Sequence, residues 1–240
     1  TLPSLGKVYN RQINPNVSLR SMTTADEMRR NAASERPLQQ MASIIDDCLV
    51  DKPGISSYDM IMGDYIYLLH KLRVVTYGPE YKMTSICPYC GSSNTDTINL
   101  DDLFVMQYTD DINKYLSFDL PISNSHITLR MQTPRMADDV ELQTKEALKR
   151  GAKNVDSAYL FTLKSIVDTV DGAVLDPIKK EDFLKNLPMK DSNTIAQYAE
   201  KLNNLIGIDT RVVYTCDTCR MDFPSTFRIN SEFFRPSLDI

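Results

Sequence analysis

The chain has 240 residues, of which 42% are hydrophobic and 25% are charged, a composition typical of an ordinary globular protein. Its formal net charge of −5, from 27 basic and 32 acidic side chains, does not suit a protein whose main partner is a phosphate backbone. No run of about 18 apolar residues occurs, so we expect no membrane span. The first residues also lack the basic and apolar regions of a signal peptide.

Residues 1–22 predict an extended N-terminal arm, because Pro3, Gly6 and Pro15 interrupt any helical pattern. Apolar side chains are spaced along this arm, so it must lie against a surface to be ordered. That surface belongs either to the arm's own domain or to a neighbouring subunit, and the sequence favours neither.

Two helices are predicted after the arm. Thr24 and Glu27 have the three-residue spacing of a capping box, which predicts a short helix that ends near Ala33. Pro37 then begins a second helix, and Pro53-Gly54 ends it. Its buried face follows steps of three and four residues and consists of Leu38, Met41, Ile45 and Cys48.

A third helix is predicted next, with Ser56 and Asp59 as its caps. His70 and Arg73 fall on or near its polar edge, so we expect His70 to be solvated rather than bound to a metal. The apolar side of this helix consists of Ile61, Met62, Tyr65, Leu68, Leu69 and Leu72.

Four of the five cysteines form two Cys-x-x-Cys pairs that lie far apart in the sequence. In each pair the two-residue gap lets adjacent thiolates bind one ion from a tight turn, and Gly91 supplies a permissive backbone after the first pair. Zinc prefers four ligands in a tetrahedron, and thiolate sulfur suits it. We therefore predict one structural Zn²⁺ bound by Cys87, Cys90, Cys216 and Cys219.

Segments rich in β-forming residues flank both cysteine pairs. Residues 74–86 precede the first pair and residues 95–100 follow it, while residues 211–215 and 226–229 flank the second pair in the same way. Each pair is thus the turn of a predicted hairpin. We expect the two hairpins to pack against each other, with the metal at their tips, as a split zinc ribbon.

Other roles for these cysteines are less well supported. A thioredoxin-like redox motif needs a helix directly after the pair, but residues 91–94 and 222–224 predict turns that lead into strands. Disulfides require an oxidising compartment, and nothing in the sequence marks the chain as secreted. The fifth cysteine, Cys48, lies in an apolar helical pattern and is expected to be a small buried hydrophobe.

A long insertion, residues 101–209, separates the two hairpins, and its first part is predicted to be β. Residues 115–120 alternate partly between apolar and polar, and residues 127–131 alternate cleanly. Residues 121–125 form the turn between them. We therefore expect an antiparallel pair of strands here.

The rest of the insertion predicts helices. A highly charged helix is expected over residues 135–150 and a more apolar one over residues 158–170. Asp176-Pro177 begins a short helix, and Asp191 caps a last one that runs to about Ile206. Together, residues 135–207 could form a subdomain.

The tail, residues 230–240, contains Phe233 and Phe234, whose exposure would be costly, so we expect it to dock on a surface. The fold class is therefore α+β: an N-terminal arm and helices, followed by a split zinc ribbon with a long mixed β/α insertion. The expected divisions are the arm 1–22, the helical region and first hairpin 23–100, the insertion 101–209, and the second hairpin with the docked tail 210–240.

No catalytic constellation is evident, so we expect no enzyme. The two histidines, His70 and His126, lie in unlike segments, and no phosphate loop, nucleophile elbow or zinc-protease helix motif occurs. A four-thiolate zinc site is closed to water and substrate. Paired acidic residues are more typical of helix caps and solvated faces; they are Asp46-Asp47, Asp101-Asp102, Asp110-Asp111 and Asp138-Asp139.

A series of short motifs in a fixed order resembles a known family. They are Leu2-Pro3-Ser4-x-Gly6-Lys7-x-Tyr9, Leu19-Arg20-x-Met22-Thr23-Thr24-x-x-Glu27, Asp59, Gly63-Asp64, Leu68-Leu69-x-x-Leu72-Arg73, Tyr77-Gly78-x-x-Tyr81 and Cys87-Pro88-x-Cys90-Gly91. Together they resemble the baseplate proteins of T-even-like contractile-tailed bacteriophages, the group associated with the baseplate hub and its assembly. The resemblance covers about residues 1–105 and the closing Cys-x-x-Cys hairpin.

The resemblance implies a structural virion component without catalytic activity, made in the host cytoplasm and located in the tail baseplate. It implies other tail proteins as partners, namely hub, tube, tape measure or wedge, in a symmetric assembly of many subunits.

Two other functions compete with this one. A nucleic-acid-associated zinc ribbon would need a basic face, which the residues of the first hairpin, 92–102, do not offer, although Arg211, Arg220, Arg228 and Arg235 lie near the second. An enzyme that uses a carboxylate pair is the weakest alternative.

Overall fold

A computed structural model describes residues 1–151, 156–226 and 231–234, with the backbone alone for residues 231 and 232. The predicted α+β class is confirmed. The helices are α1 Thr24–Arg30, α2 Pro37–Cys48, α3 Met62–Tyr77, α4 Asn113–Leu116, α5 Pro134–Lys149, α6 Ser157–Ile166, α7 Pro177–Lys185 and α8 Met189–Asn203. The strands are β1 Glu80–Ile86, β2 Ser93–Asn99, β3 Val105–Met106, β4 Ser117–Asp119, β5 His126–Leu129, β6 Val167–Val170, β7 Gly207–Ile208, β8 Arg211–Thr215 and β9 Asp222–Thr226.

The strands form small antiparallel sheets. β1 pairs with β2 and β8 with β9, so each Cys-x-x-Cys pair is the connection of a hairpin. β4, β5 and β6 form a three-stranded sheet in that order. β3 pairs with β7, and this short pair joins the beginning of the insertion to its end. The end of the insertion therefore lies beside its beginning before the second hairpin starts.

Two large buried clusters form most of the core in the described part of the chain. The first surrounds α2 and α3 and includes Leu2 from the arm together with Phe233 and Phe234 from the chain end. The second lies between the three-stranded sheet and helices α6 and α8. Ile61, just before α3, belongs to the second cluster, so the start of α3 contacts both.

The arm lies on its own chain. Its backbone turns at residues 3–8, and the Leu2 N–H donates to the Pro15 carbonyl. Ser4 donates to the Asp64 carboxylate through its N–H, 2.9 Å away, and through its hydroxyl, and the Tyr9 hydroxyl donates to the same carboxylate at 2.7 Å. Asp64 is fully buried, so these three donors replace the water that its carboxylate would otherwise bind.

The structure changes the predicted helix starts. The capping box lies one residue earlier than predicted, because Thr23 has an extended backbone and exchanges hydrogen bonds with Asp26. Asp191 does not cap α8, which begins after Pro188. Its carboxylate instead accepts the N–H groups of Ile122 and Ser123, so it fixes the turn between β4 and β5.

The helix predicted over residues 158–170 ends at Ile166, and its last four predicted residues form β6. The reason is tertiary, because this Val-Asp-Thr-Val segment pairs with β5 and buries Val167 and Val170. The first residues of the strand predicted over 115–120 belong instead to α4.

The expectation that His70 and Arg73 lie on a polar edge is wrong. Both side chains are buried, because α3 is covered on that side as well. His70 Nε2 lies 2.8 Å from the Leu100 carbonyl oxygen. The Arg73 guanidinium donates to the carbonyls of Phe233, Gly78 and Glu80 at 3.0, 2.6 and 3.1 Å.

Among the helices in the described residues, none combines the length and the apolar character that a membrane span requires.

Candidate metal centre

Both Cys-x-x-Cys turns have the same backbone hydrogen bonds. In the first, the Cys87 N–H donates to the Ser92 carbonyl and the Gly91 N–H donates to the Cys87 carbonyl, at 2.9 and 3.0 Å. In the second turn, the Cys216 N–H donates to the Met221 carbonyl at 3.0 Å, and the Arg220 N–H donates to the Cys216 carbonyl at 2.9 Å. The first residue after each pair, Gly91 or Arg220, has a left-handed backbone with φ of 72° or 60°.

These matched turns bring the four sulfurs together. All four lie within 4.8 Å of one another. The pairs Cys87–Cys219 and Cys90–Cys216, each formed across the two hairpins, are separated by 3.7 and 3.6 Å. A tetrahedron with zinc–sulfur bonds of about 2.3 Å has edges of about 3.8 Å. These two separations therefore match the edges of a tetrahedral thiolate site, and the grouping of all four sulfurs is compatible with one metal ion.

The acidity of the thiols also suits a cation. Hydrogen bonds from the Cys219 N–H and the Ser92 hydroxyl lower the pKa of Cys216 to about 5. At Cys219 a hydrogen bond from the Met221 N–H favours the thiolate, but desolvation and the neighbouring cysteines outweigh it and raise the pKa to about 12. The Ser92 hydroxyl also lowers the pKa of Cys90, so two of the four thiols favour the thiolate form that binds a cation.

The two hairpins meet next to the sulfurs. Tyr214 and Phe223, which are cross-strand partners within the second hairpin, stack with ring centroids 5.7 Å apart, and both are buried. Ser85 of the first hairpin hydrogen-bonds Ser225 of the second at 2.7 Å. Cys87 and Cys216 are buried in the same cluster, whereas Cys90 is exposed. The cluster therefore lies at one end of the paired hairpins, with one edge open to solvent.

Sequence reasoning missed two supporting residues. The Ser92 hydroxyl lies 3.0 Å from the Cys90 sulfur and 3.1 Å from the Cys216 sulfur. The Asn94 side-chain oxygen accepts the Asp217 N–H at 2.9 Å and so ties the two turns together. For Ser92 the available signal was its position just after the first pair, since a hydroxyl there is close to the sulfurs.

The other candidate residues lie elsewhere. Cys48 is buried in the first apolar cluster, and desolvation raises its pKa. The acidic pairs with described partners serve as caps and ion pairs: the Asp138 carboxylate accepts the N–H groups of Leu38 and Gln39 at the start of α2, and Asp139 pairs with Arg36.

Comparison with known proteins gives one match that spans most of the chain. The model of a family described as T4 bacteriophage base plate protein matches residues 1–235. The match includes residues 106–209, to which the sequence motifs did not extend. No curated protein and no solved structure gives a significant match.

Proposed function

The chain belongs to the T4 bacteriophage base plate protein family, and on that premise we propose that it is a structural subunit of a phage tail baseplate, at or next to the hub. Its partners would be other tail proteins: hub, tube, tape measure or wedge. It would be made in the host cytoplasm and retained in the tail as part of a symmetric assembly. The family match over nearly the whole chain is the observation that carries this proposal.

We further propose that Cys87, Cys90, Cys216 and Cys219 bind one structural Zn²⁺. Support comes from the close grouping of the four sulfurs and from the lowered pKa of the Cys90 and Cys216 thiols. The metal would hold two hairpins that are distant in sequence, so that the paired hairpins form a split zinc ribbon. It would have no open coordination position and would take no part in a reaction.

The metal's role would be mechanical. Structural zinc sites contribute roughly 10–16 kcal/mol of apparent binding free energy at neutral pH, as much as the whole stability of a typical domain. Here the metal would connect the two ends of the segment between Cys90 and Cys216. The pairing of β3 with β7 also holds the two ends of that segment together. A segment held closed in this way suits a baseplate subunit that must keep its shape between neighbouring tail proteins.

A nucleic-acid-associated zinc ribbon has less support. Arg211, on the second hairpin, is engaged by Asp209, and its guanidinium donates to that carboxylate at 2.8 Å. Most exposed strand residues of the first hairpin are Thr, Ser or Asn, and its exposed charged residues are Glu80, Lys82 and Asp96, so this face carries one cation beside two anions. Phosphate binding needs unpaired cations grouped on one face.

The experiment is to fractionate purified phage particles that encode the chain. We expect the protein in the tail baseplate fraction at a fixed copy number, with cross-links to tail proteins, and no salt-sensitive DNA binding by the isolated chain. Absence from assembled baseplates, together with tight DNA binding at physiological salt, would reverse the assignment.

A further inference from the structure

Three polar side chains on the exposed face of the three-stranded sheet form a continuous hydrogen-bonded line. The Ser117 hydroxyl lies 2.6 Å from Nε2 of His126, and Nδ1 of the same ring lies 2.7 Å from a carboxylate oxygen of Asp119. About half of the His126 side chain and three quarters of the Asp119 side chain are exposed. A small molecule can therefore reach this line directly.

Strand alternation and register create this arrangement. Ser117 and Asp119 flank the buried Phe118 in β4, so both point to the solvent face. The register places His126 of β5 opposite Asp119 and Thr128 opposite Ser117. The His126 ring is thus beside one partner and diagonal to the other, within reach of both. The hydrogen-bonded line depends on the pairing of two strands, so the sequence alone did not reveal it.

The hydrogen-bond chemistry fixes the direction of the line. A carboxylate only accepts hydrogen bonds, so Nδ1 of His126 carries the proton that is donated to Asp119. In the neutral ring Nε2 is then a lone-pair acceptor, and it faces the Ser117 hydroxyl. The hydroxyl proton therefore points at a base, as in the serine–histidine–aspartate arrangement of nucleophilic catalysis.

The backbone of β4 supplies donors beside the hydroxyl. The His126 carbonyl accepts the Asp171 N–H, and the His126 N–H donates to the Asp171 carboxylate, so the His126 backbone faces β6 rather than β4. Asp119 and His126 are therefore a non-hydrogen-bonded pair, and the N–H groups of Ser117 and Asp119 point away from β5. A nucleophile's own N–H commonly stabilises the oxyanion that forms on acyl transfer.

We propose that Ser117 is a nucleophile that cleaves carboxylic esters at this sheet face, with His126 as its general base and Asp119 as the group that orients the ring. The serine oxygen bonds to the ester carbonyl carbon while its proton passes to Nε2. The carbon–oxygen bond to the alcohol then breaks, and the Nε2 proton goes to the departing oxygen. Water attacks the acyl-serine in the same way, which releases the carboxylic acid and restores the hydroxyl.

The test uses the full-length, metal-loaded chain and a biotinylated fluorophosphonate, followed by peptide mass spectrometry. This probe forms a stable bond to activated serine oxygens, whereas acyl esters would also react with cysteine thiolates. We expect a phosphonate on Ser117. General-base assistance typically contributes about 10²–10⁴-fold, so H126Q should lower the labelling rate at Ser117 at least about tenfold. D119N should lower it less, because Asp119 is exposed.

Thr128→Ala is the matched control, because it removes a hydroxyl from the same face of the same sheet, opposite Ser117. It should label at the wild-type rate, and the melting temperatures of all variants should agree within a few degrees. Two results would overturn the proposal: no adduct on Ser117 under conditions that label a serine esterase, or equal labelling rates in the wild type and H126Q. Hydrolysis of p-nitrophenyl acetate that survives in S117A would likewise place any activity elsewhere.

Discussion

Gly63 at the start of α3 and Gly207 in β7 lie back to back, with no room for a side chain between them. A Cβ added to Gly63 would lie 2.1 Å from the Ile206 carbonyl oxygen, and one added to Gly207 would lie 3.1 Å from the Gly63 Cα. This contact fixes the end of the insertion against the first long helix. It therefore helps to set where the second hairpin begins.

Gly63→Ala should destabilise the protein by about 3 kcal/mol, since overpacking against a backbone carbonyl forces one element to move. Helix propensity alone would give the opposite sign, a gain of about 1 kcal/mol for Gly to Ala. Denaturant unfolding followed by circular dichroism measures this change in the free energy of unfolding. Val75→Ala on the same helix, at a half-exposed position, is the control and should change stability by about 0.5 kcal/mol or less. A stabilised Gly63→Ala variant would show that the contact is not tight.

Cys216→Ser should abolish zinc binding and leave the hairpins protease-sensitive. The cause is loss of one of four thiolates from a site that would otherwise supply roughly 10–16 kcal/mol. Elemental analysis should find one zinc per wild-type chain, and limited proteolysis should cut Cys216→Ser within residues 80–100 and 211–226. Cys48→Ala, a cysteine change outside the cluster, should keep its zinc. A fully metallated Cys216→Ser protein would contradict the site.

Asp26 should make part of the protein's stability sensitive to acid. The Asp26 carboxylate accepts hydrogen bonds from the Arg20 guanidinium and the Thr23 N–H, and these lower its pKa to about 2. Because the folded pKa lies below the unfolded value of about 3.9, the stabilisation is present above that value and is lost as pH falls towards 2.

Asp26→Asn should therefore cost about 2 kcal/mol at pH 7, because each unit by which the pKa is lowered corresponds to about 1.4 kcal/mol. The difference between the two proteins should shrink as the pH approaches 2. Urea unfolding at several pH values measures it. Asp47→Asn removes a half-exposed ion pair with Arg29 and should cost less than about 1 kcal/mol at every pH. An Asp26→Asn deficit that stays constant with pH would refute the assignment.

Ser4→Ala should weaken the attachment of the arm. Asp64 is fully buried and its pKa is raised by desolvation, so each donor to its carboxylate matters. Loss of a hydrogen bond to a buried charged group costs about 1.5–3 kcal/mol, and thermal unfolding should show this decrease. Ser18→Ala is the matched control, because Ser18 donates to the exposed Asp51 carboxylate; it should be nearly neutral. Equal effects of the two substitutions would mean that the buried network adds nothing.

Arg73→Lys should release the chain end from α3. The planar guanidinium reaches three carbonyls in different directions, whereas a lysine ammonium at the same position cannot match that fork. We expect faster proteolysis near Phe233 and a loss of about 2 kcal/mol or more in unfolding free energy. Arg150→Lys, at an exposed position, provides the comparison. Unchanged cleavage near Phe233 would indicate that the aromatic contacts suffice.

Local patterns in the sequence were enough to predict much of the fold. The three-and-four spacing of α2, the Asp176-Pro177 start of α7 and the turns at both cysteine pairs depend on residues a few positions apart. Pairing the two distant cysteine turns needed only the chemical rule that four thiolates suit one ion. The positions of the sulfurs, which lie together, agree with it.

Sequence patterns were sufficient to predict the mixed α+β class, the approximate positions of most helices, and the two cysteine turns that the fold brings together. The folded chain alone shows which distant polar groups meet. Arg73 contacts the Phe233 carbonyl, Asp191 contacts the turn at Ile122, and Ser117 lies beside His126. The physical reason is the distance along the sequence over which each kind of interaction acts. Helix, turn and cap preferences act over a few residues, whereas burial and cross-strand contacts depend on segments that meet only when the whole chain has folded.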